Sequence, residues 1–409
     1  MGMTMAEKII AAAAGVEAVK AGDIHTVELD RLMSNDGTTH LTIDMYNQLE
    51  NPHIADVSKL VWIMDHNVPC DSTKTAASHK KMRDFAKKHQ IKFYEGAGVC
   101  HQVMMENHVT SGELIFGADS HTCAYGAGVG CTDYLYAMVT GHSWLLVPET
   151  LKFQLTGKLR EGVYARDLIL SIIGMIGANG ANYMAMEFSG EGLKTLNISD
   201  RIAICNLCVE AGAKTALMEV DDITLDYLKA HSREPKHIFK SDEDAVFAKV
   251  YNIDLATIQP IVAKPHFVDN VVSAKECVGT HIDEAFLGSC NNGRIEDLRV
   301  GAELIKGKKV HPLVRFLVVP ASAAVYQQAL SEGIISTFMD AGAIVMNPNC
   351  SVCWGSCQGV IGENEVLIST GTRNFKGRAG HKDSFVYLAS AATVTASAIK
   401  GEIATADMV

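Results

Sequence analysis

Short apolar runs alternate with longer segments of helical period along most of the chain. The runs are rich in Val, Ile, Leu and Phe, as is typical of strands buried on both faces of a parallel sheet. The alternation predicts an α/β fold, in which helices connect the strands of mostly parallel sheets. The predicted strands are 60–64, 92–94, 113–116, 285–287, 315–319, 343–346, 365–369 and 385–388.

Helical periodicity is clearest at 76–88 and 167–176. A third helix is predicted at 199–211, with Ser199 as its N-cap and Gly212 as its stop. The polar stretch 231–244 reads as a surface connection. A new series of strands and helices begins near Ile282, so we place a boundary between about residues 265 and 282 and predict two units, 1–275 and 276–409.

Polar and thiol side chains follow several predicted strands directly. In open α/β sheets ligands bind beyond the carboxyl ends of the strands, so each such cluster is a candidate site. An isolated His is more often a satisfied core residue, but repetition at one kind of position makes that explanation weaker. The clusters are Asp65 with His66, His101, Asp119 to His121, Cys290, Cys350 with Cys353, and Arg373 to Arg378.

Three cysteines could hold one metal centre. Cys350 and Cys353 form a C-x-x-C pair, and Cys290 follows a neighbouring strand. Structural zinc sites use four protein ligands, whereas a 4Fe-4S cluster held by three cysteines leaves one iron open to act as a Lewis acid. Cys357 is either a fourth ligand or part of the turn that follows the pair.

The other cysteines suggest reduced thiols. The chain has 11 Cys, an odd number, and its start lacks the apolar segment of a secretory signal. Cys205 and Cys208 also form a C-x-x-C pair, but on a predicted helix they are expected to be core residues. No apolar stretch approaches the roughly 20 residues of a membrane span. We therefore expect the protein in the cytoplasm.

Charge argues against nucleic acid as the main partner. Lys and Arg total 36 and Asp and Glu total 47, for a net charge of −11, and no basic run stands out. The clusters instead suit a small anionic substrate. Arg373 and Arg378 lie in a Gly-containing loop that could grip carboxylates, and Asp65 with His66 and Asp119 with His121 are pairs suited to proton transfer.

The chain resembles the aconitase family, and within it the large subunits of two-subunit dehydratases, over essentially its whole length. The resemblance is carried, in order, by DHNVP (65–69), GVCHQ (98–102), GADSHT (117–122), GSCNNGRIEDLR (288–299), NCSVC (349–353) and RNFKGR (373–378). It implies three entwined α/β domains with mostly parallel sheets. It also implies one 4Fe-4S cluster per chain.

The resemblance further implies a role for each cluster of residues. Cys290, Cys350 and Cys353 would ligate the cluster, His66 with Asp65 would protonate the departing hydroxyl, and Asp119 with His121 would place water. His101 with Glu210 would form a second imidazole and carboxylate pair. Asn35, Ser120, Arg373 and Arg378 would contact substrate.

The family's catalytic base is a Ser on a separate swivelling domain, which this chain is expected to lack and a small partner subunit to supply. The expected activity is reversible dehydration of a substituted malate of the 3-isopropylmalate or 2,3-dimethylmalate type. The alternatives are a homoaconitate hydratase large subunit, a non-catalytic iron-sensing or RNA-binding relative, and a structural zinc protein. Three departures from the family pattern bear on the substrate: a shorter loop after Ala127, Asn291 in place of Thr, and Thr372 in place of Asn.

Overall fold

Four sheets are built from eighteen strands within residues 2–409, the part of the chain that this computed structural model describes. The strands are β1 (Ile24–Glu28), β2 (Arg31–Asn35), β3 (Leu60–Met64), β4 (Lys92–Glu95), β5 (Ile115–Gly117), β6 (Ala127–Gly128), β7 (His142–Leu146), β8 (Thr150–Thr156), β9 (Ala185–Ser189), β10 (Thr215–Met218), β11 (Lys249–Asp254), β12 (Ile261–Ala263), β13 (Val271–Ser273), β14 (Glu284–Gly288), β15 (Arg315–Val319), β16 (Ile344–Val345), β17 (Val366–Ser369) and β18 (Phe385–Leu388).

Helices pack on the sheets and connect their strands. They are α1 (Met5–Ala14), α2 (Thr39–Tyr46), α3 (Thr73–His89), α4 (Cys100–Asn107), α5 (Cys131–Thr140), α6 (Ala165–Ile176), α7 (Ile198–Leu207), α8 (Asp222–Ala230), α9 (Ser289–Asn292), α10 (Ile295–Ile305), α11 (Ala323–Ser331), α12 (Ile334–Ala341) and α13 (Ala391–Lys400). Within residues 2–409 no helix combines the length and the apolar character that crossing a membrane requires.

The first sheet is parallel, with the order β4-β3-β2-β5-β6. Every residue of β3 is buried, because the sheet has packing partners on both faces. The neighbouring helix α3 starts where the Ser72 hydroxyl accepts from the Thr75 amide and buries His79, Met82, Phe85 and Ala86 on one face. A separate antiparallel pair, β1 with β7, lies beside this sheet.

The second sheet is parallel, with the order β10-β9-β8-β11, and carries α6 and α7. The helix predicted at 199–211 was misplaced at its start. Its N-cap is Asn197, which forms a reciprocal capping box with Asp200, whereas the Ser199 hydroxyl donates to Glu296 at 2.6 Å. The helix ends at Leu207, a 3-10 turn covers 208–211, and Gly212 adopts the expected left-handed stop.

The third sheet has seven strands in the order β13-β12-β18-β17-β14-β15-β16. Its strands pair in parallel except at β12, which runs antiparallel to both neighbours. Strands 315–319 and 385–388 lie where the sequence predicts them, and 231–244 contains neither helix nor strand, as expected. The division between residues 275 and 276 stays a prediction; the short strands β12 and β13, which precede it, pair into this last sheet.

Candidate active site

Polar side chains from all three large sheets converge at strand ends. The first sheet contributes the last residue of β2, the residues that follow β3 and β5, and the start of α4. The second contributes the turn after α7. The third contributes residues that follow β14, β16 and β17. These residues are Asn35, Asp65, His66, His101, Asp119, Ser120, His121, Glu210, Cys290, Cys350, Cys353, Arg373 and Arg378.

Asp36 fixes the turn that carries Asp65 and His66, and sequence reasoning missed it. Its Oδ1 accepts from the amides of Asp65 and His66, each at 2.9 Å. Its Oδ2 accepts from the Asn67 amide at 2.9 Å and from His79 Nε2 at 3.0 Å. Burial alone would raise the pKa of Asp36, but the hydrogen bond from His79 and the backbone donors hold it well below its usual range. Asp36 therefore remains an anion under this turn.

His66 is held as a protonated imidazole. Its Nδ1 lies 2.7 Å from Asp65 Oδ1, and its ring packs edge-on against Trp354 with centroids 4.6 Å apart. Burial disfavours the cation, but the negative charges of Asp65, Asp36 and Asp119 outweigh burial and raise the pKa of His66 to about 10. At neutral pH this residue holds a proton that it can give to a departing group.

The second imidazole pair differs from the predicted one. His101 was expected to pair with Glu210, but its Nε2 donates to Asp119 Oδ1 at 2.9 Å. Glu210 instead lies beside His121, with Oε1 3.4 Å from His121 Nε2. Asp119 serves both rings, because its Oδ1 also lies 3.6 Å from His121 Nδ1. The reason is topological: Asp119 follows β5 in the first sheet, which also carries α4, whereas Glu210 lies in the turn after α7 on the second sheet.

Charge and hydrogen bonding set the state of these groups. Burial alone would raise the pKa of Asp119, but His101 and His121 hold it well below its usual range. Burial opposes protonation of His121, yet the nearby carboxylates of Asp119 and Glu210 raise its pKa. The site thus holds anionic carboxylates beside imidazoles that can carry a proton.

Tyr125 is another residue that sequence reasoning missed. A carboxylate only accepts hydrogen bonds, so His101 donates to Asp119 through Nε2, and its Nδ1 accepts from the Tyr125 hydroxyl at 3.0 Å. Both hydrogen bonds orient the imidazole. Tyr125 follows the GADSHT segment by three residues, but nothing in the spacing alone indicates that its side chain turns back towards α4.

The two arginines differ in whether their side-chain donors are engaged in hydrogen bonds. Arg373 Nε donates to Glu210 Oε1 at 2.8 Å, and its Nη2 donates to the Ser120 hydroxyl at 2.9 Å. Arg378 lies between the rings of Trp354 and Phe375, with its guanidinium carbon 5.7 Å from each centroid. Its buried Nε has no hydrogen-bond partner within residues 2–409. Arg378 is therefore a cation with donors to spare for an anion.

The three predicted ligand cysteines lie in one region of the site. Cys290 and Cys350 are buried in one small cluster with Val99 and Trp354. Burial, and then the charge of Cys353, raises the pKa of Cys290, and both other thiols contribute to raising that of Cys350. Cys353 behaves differently: burial opposes its ionisation, but Arg378 and the Thr372 hydroxyl, 3.6 Å away, lower its pKa. The thiols are thus close enough to influence one another's ionisation.

Among the remaining cysteines, Cys100 adjoins the predicted ligands. Cys100, which begins α4, donates through its amide to Asp65 Oδ2 at 2.6 Å, and its buried thiol lies near Cys290 and Cys350. Cys205 and Cys208 are buried in the core of the second sheet, as expected. Cys357 lies near Val68, Asp71 and Asp36.

Asn291 and the loop after Ala127, two of the expected departures from the family pattern, make defined contacts. Asn291 donates to the Ala203 carbonyl at 2.9 Å and to Asn206 Oδ1 at 3.2 Å. Asn206 in turn lies 3.7 Å from the Cys290 sulfur. The chain at Ala127 forms the small strand β6 on β5, and the Val129 amide donates to the Gly117 carbonyl at 2.9 Å.

Comparison with known proteins assigns the family. The family model described as "Aconitase family (aconitate hydratase)" matches residues 7–281 and 271–401. The chain belongs to the aconitase family. The chain is 47% identical to the "Probable 3-isopropylmalate dehydratase large subunit" of Methanothermobacter thermautotrophicus over 98% of both chains. It is 46% identical to the "3-isopropylmalate dehydratase large subunit" of Hydrogenobaculum sp. over 99% of this chain and 97% of the relative.

Other similarities reach further within the family. The "Probable methanogen homoaconitase large subunit" of Methanothermobacter thermautotrophicus is 44% identical over 98% of this chain and 97% of its own length. The crystal structure of Thermococcus kodakaraensis aconitase X resembles this aconitase-family chain with a TM-score of 0.52 at 11% identity. The match covers 93% of this chain and 92% of the aconitase X chain. This similarity confirms the predicted aconitase-like α/β fold with mostly parallel sheets.

Proposed function

We propose that this chain is the large subunit of an iron-sulfur hydro-lyase that reversibly dehydrates a substituted malate, of the 3-isopropylmalate or 2,3-dimethylmalate type. One observation carries the proposal. Three thiols, two of them buried, lie at the same strand ends as an imidazole held as a cation and an arginine whose Nε has no hydrogen-bond partner within residues 2–409. A poor leaving group such as hydroxide needs a Lewis acid and a proton donor, and a dicarboxylate needs arginines.

The residues present fit a 4Fe-4S cluster, one per chain. Cys290, Cys350 and Cys353 offer three thiols on two segments. Arg378 favours the thiolate of Cys353, which is the form that binds iron. When bound, a cluster held by three cysteines supplies one iron with an open position as a Lewis acid. Eleven reduced thiols suit a reducing compartment, so a cytoplasmic location goes with this proposal.

The chain's own residues divide the remaining work. In this proposal His66, oriented by Asp65 at 2.7 Å, donates a proton to the departing hydroxyl. Two imidazole and carboxylate pairs, His101 with Asp119 and His121 with Glu210, hold and move a proton beside the water that the reaction releases. Asn35, which donates to Asp119 Oδ2 at 3.2 Å, contacts substrate together with Ser120, Arg373 and Arg378.

The proposed partner is a small subunit. The relatives are named large subunits, and the family's base, a Ser on a swivelling domain, would come from that second polypeptide. Homoaconitate hydration is the second candidate activity, because a relative named for it is 44% identical, close to the 47% of the first dehydratase. Identity alone does not separate these substrates.

Metal analysis tests the cofactor first. We would purify the chain without oxygen and measure iron and acid-labile sulfide in wild type, Cys353→Ala and Cys277→Ala. Cys277 is a matched control, since it is a buried thiol in the core of the third sheet. About four iron and four sulfide per chain are expected in wild type and Cys277→Ala, and a loss of both in Cys353→Ala. Stoichiometric zinc without sulfide would contradict the proposal and favour a zinc protein.

Substrate assays then test the reaction. The chain with its small subunit would be offered 3-isopropylmalate, 2,3-dimethylmalate and homoaconitate, and kcat/KM would be compared. Turnover of one of the first two at the highest kcat/KM is expected. A preference for homoaconitate would replace the substrate assignment while leaving the chemistry, and no turnover of any by a cluster-loaded complex would overturn the activity.

A further inference from the structure

A buried arginine outside the predicted site links two of its cysteine segments. Arg166 lies in α6, on the second sheet, and its side chain is fully buried. Its Nη1 donates to Asn291 Oδ1 at 2.5 Å, to Asn292 Oδ1 at 3.2 Å and to the Thr370 carbonyl at 2.8 Å. Its Nη2 donates to the Gly371 carbonyl, and its Nε has no partner within residues 2–409.

Both groups of partners adjoin ligand cysteines. Asn291 is the residue after Cys290 and also bonds to Asn206, which lies 3.7 Å from the Cys290 sulfur. Gly371 passes beside Cys353, because a β-carbon added there would lie 3.4 Å from the Cys353 sulfur. Arg166 therefore ties the Cys290 segment to the loop that packs on Cys353, from a helix that belongs to neither.

The positive charge of Arg166 lacks an ion-pair partner. Within the described chain its hydrogen bonds go to amide and carbonyl oxygens only. Two carboxyl groups are near but engaged: Asp167 accepts from the amides of Ile261 and Tyr164, and Asp297 accepts from Asn292 and from the Arg294 amide. Burial raises the pKa of Asp167 to about 7 and that of Asp297 to about 6.

Burying a cation without an anion is costly, so such a charge usually has a partner in the working protein. Burial lowers the pKa of Arg166 only to about 10, and the guanidinium stays protonated at neutral pH. The guanidinium donates to Asn291 and Gly371, which adjoin the thiols of Cys290 and Cys353. An anionic centre held by those thiols would supply the missing charge.

We propose that Arg166 is a positioning residue for the iron-sulfur cluster, which holds the Cys290 and Cys353 segments together and offsets the negative charge bound between them. This inference rests on the proposed function, because it requires a cluster at these cysteines. Arg166 would stabilise the cluster in two ways: through its hydrogen bonds to Asn291, Thr370 and Gly371, and through its positive charge.

Arg166→Gln and Arg166→Lys separate these contributions. Gln removes the charge, so the cluster of this variant should have a lower reduction potential in an EPR-monitored titration. Lys retains the charge but not the planar fork of donors, so its potential should stay near that of wild type. Both variants should lose iron to a chelator about tenfold faster than wild type, which corresponds to about 1.4 kcal/mol.

Arg201→Gln is the matched control, since Arg201 is also a buried arginine but pairs with Asp221 at 2.6 Å. It should alter the urea midpoint of the protein and leave the cluster potential unchanged. Equal potentials in wild type, Arg166→Gln and Arg166→Lys would overturn the charge role. If Arg166→Gln does not fold, wild-type iron retention in Arg166→Lys overturns the positioning role. Wild type that holds no iron and sulfide would instead refute the proposed function.

Discussion

Four hydrogen bonds end on the carboxylate of Asp36, three of them from the consecutive amides of Asp65, His66 and Asn67. Asp36→Asn replaces one carboxylate oxygen with an NH2 group, which is a donor and cannot accept from the backbone amides or from His79. With the small subunit present, we expect kcat to fall at least tenfold while KM changes little, because His66 is displaced rather than removed. A buried donor left unpaired costs about 1–3 kcal/mol, so the free energy of unfolding should fall by a similar amount.

Asp44→Asn controls for the loss of a carboxylate. Asp44 is exposed and pairs only with Lys81 across the surface, at 2.7 Å, so this variant should change neither kcat nor stability by a measurable amount. Wild-type kcat in Asp36→Asn would show that the turn keeps its geometry without the anion.

Arg378 is expected to bind a carboxylate group of the substrate. Arg378→Lys retains the positive charge but loses the planar pair of donors that grips a carboxylate. A hydrogen bond to a charged group contributes about 1.5–3 kcal/mol, so KM should rise by roughly 10- to 100-fold. Iron content should match wild type, since Arg378 is not a ligand. Arg299→Lys, at an exposed arginine paired with Glu332 at 2.6 Å, is the control; an unchanged KM in Arg378→Lys would exclude substrate binding there.

Residue types were predictable at this scale, but their partners were not. The sequence places Asp119 and His121 two residues apart, and His101 in an earlier segment of the chain. Which carboxylate meets which imidazole depends on how β5, α4 and the turn after α7 meet in space, and no spacing encodes that. Asp36, Tyr125 and Arg166 were missed for the same reason, because each acts through contacts distant in sequence.

At the scale of elements, α4 carries His101 and is anchored at its far end by His108. His108 is buried and its Nε2 lies 2.9 Å from the hydroxyl of Tyr94 in β4. Burial, followed by the charges of Lys92, Arg31 and Arg233, lowers the pKa of His108 from 6.5 to about 4. Between these pH values the unfolded chain binds the proton and the folded chain does not. Stability is therefore lost as the pH falls through this range.

His108→Gln should remove this pH dependence. Between pH 7 and pH 5, His108 accounts for about 2 kcal/mol of lost stability, so the urea midpoint of wild type should fall by more than that of the variant. Gln can still accept from Tyr94. His53→Gln, at an exposed histidine, should leave the wild-type difference intact. Parallel pH profiles in wild type and His108→Gln would contradict the assignment.

Buried strands were the most predictable elements. Strand β3 lies at 60–64, where an apolar run predicted it, because all five of its residues are buried and a strand covered on both faces is apolar throughout. Helix ends were less predictable. Asn197 and Ser199 are both good N-caps, and the choice depends on whether Glu296, about a hundred residues away, takes the Ser199 hydroxyl.

At the scale of the whole molecule, the α/β class follows from the sequence, whereas the order of strands does not. Strand β12 pairs with β18 although about 120 residues separate them. The convergence of three sheets on one site could be expected only from the resemblance to the aconitase family. Apolar pattern alone predicts that sheets form and leaves open which strand ends face one another.

The activity of this chain is expected to depend on a second subunit. The acid and base groups on this chain reach the site from its own strand ends, and the proposed base on the opposite face belongs to the partner. General base catalysis contributes about 10²–10⁴-fold, so the isolated cluster-loaded chain should turn over at least a hundredfold more slowly than the complex. Activity should return on adding the small subunit and fail to return with a variant in which that subunit's base is Ala. Full turnover by the isolated chain would show that the base lies among residues 1–409.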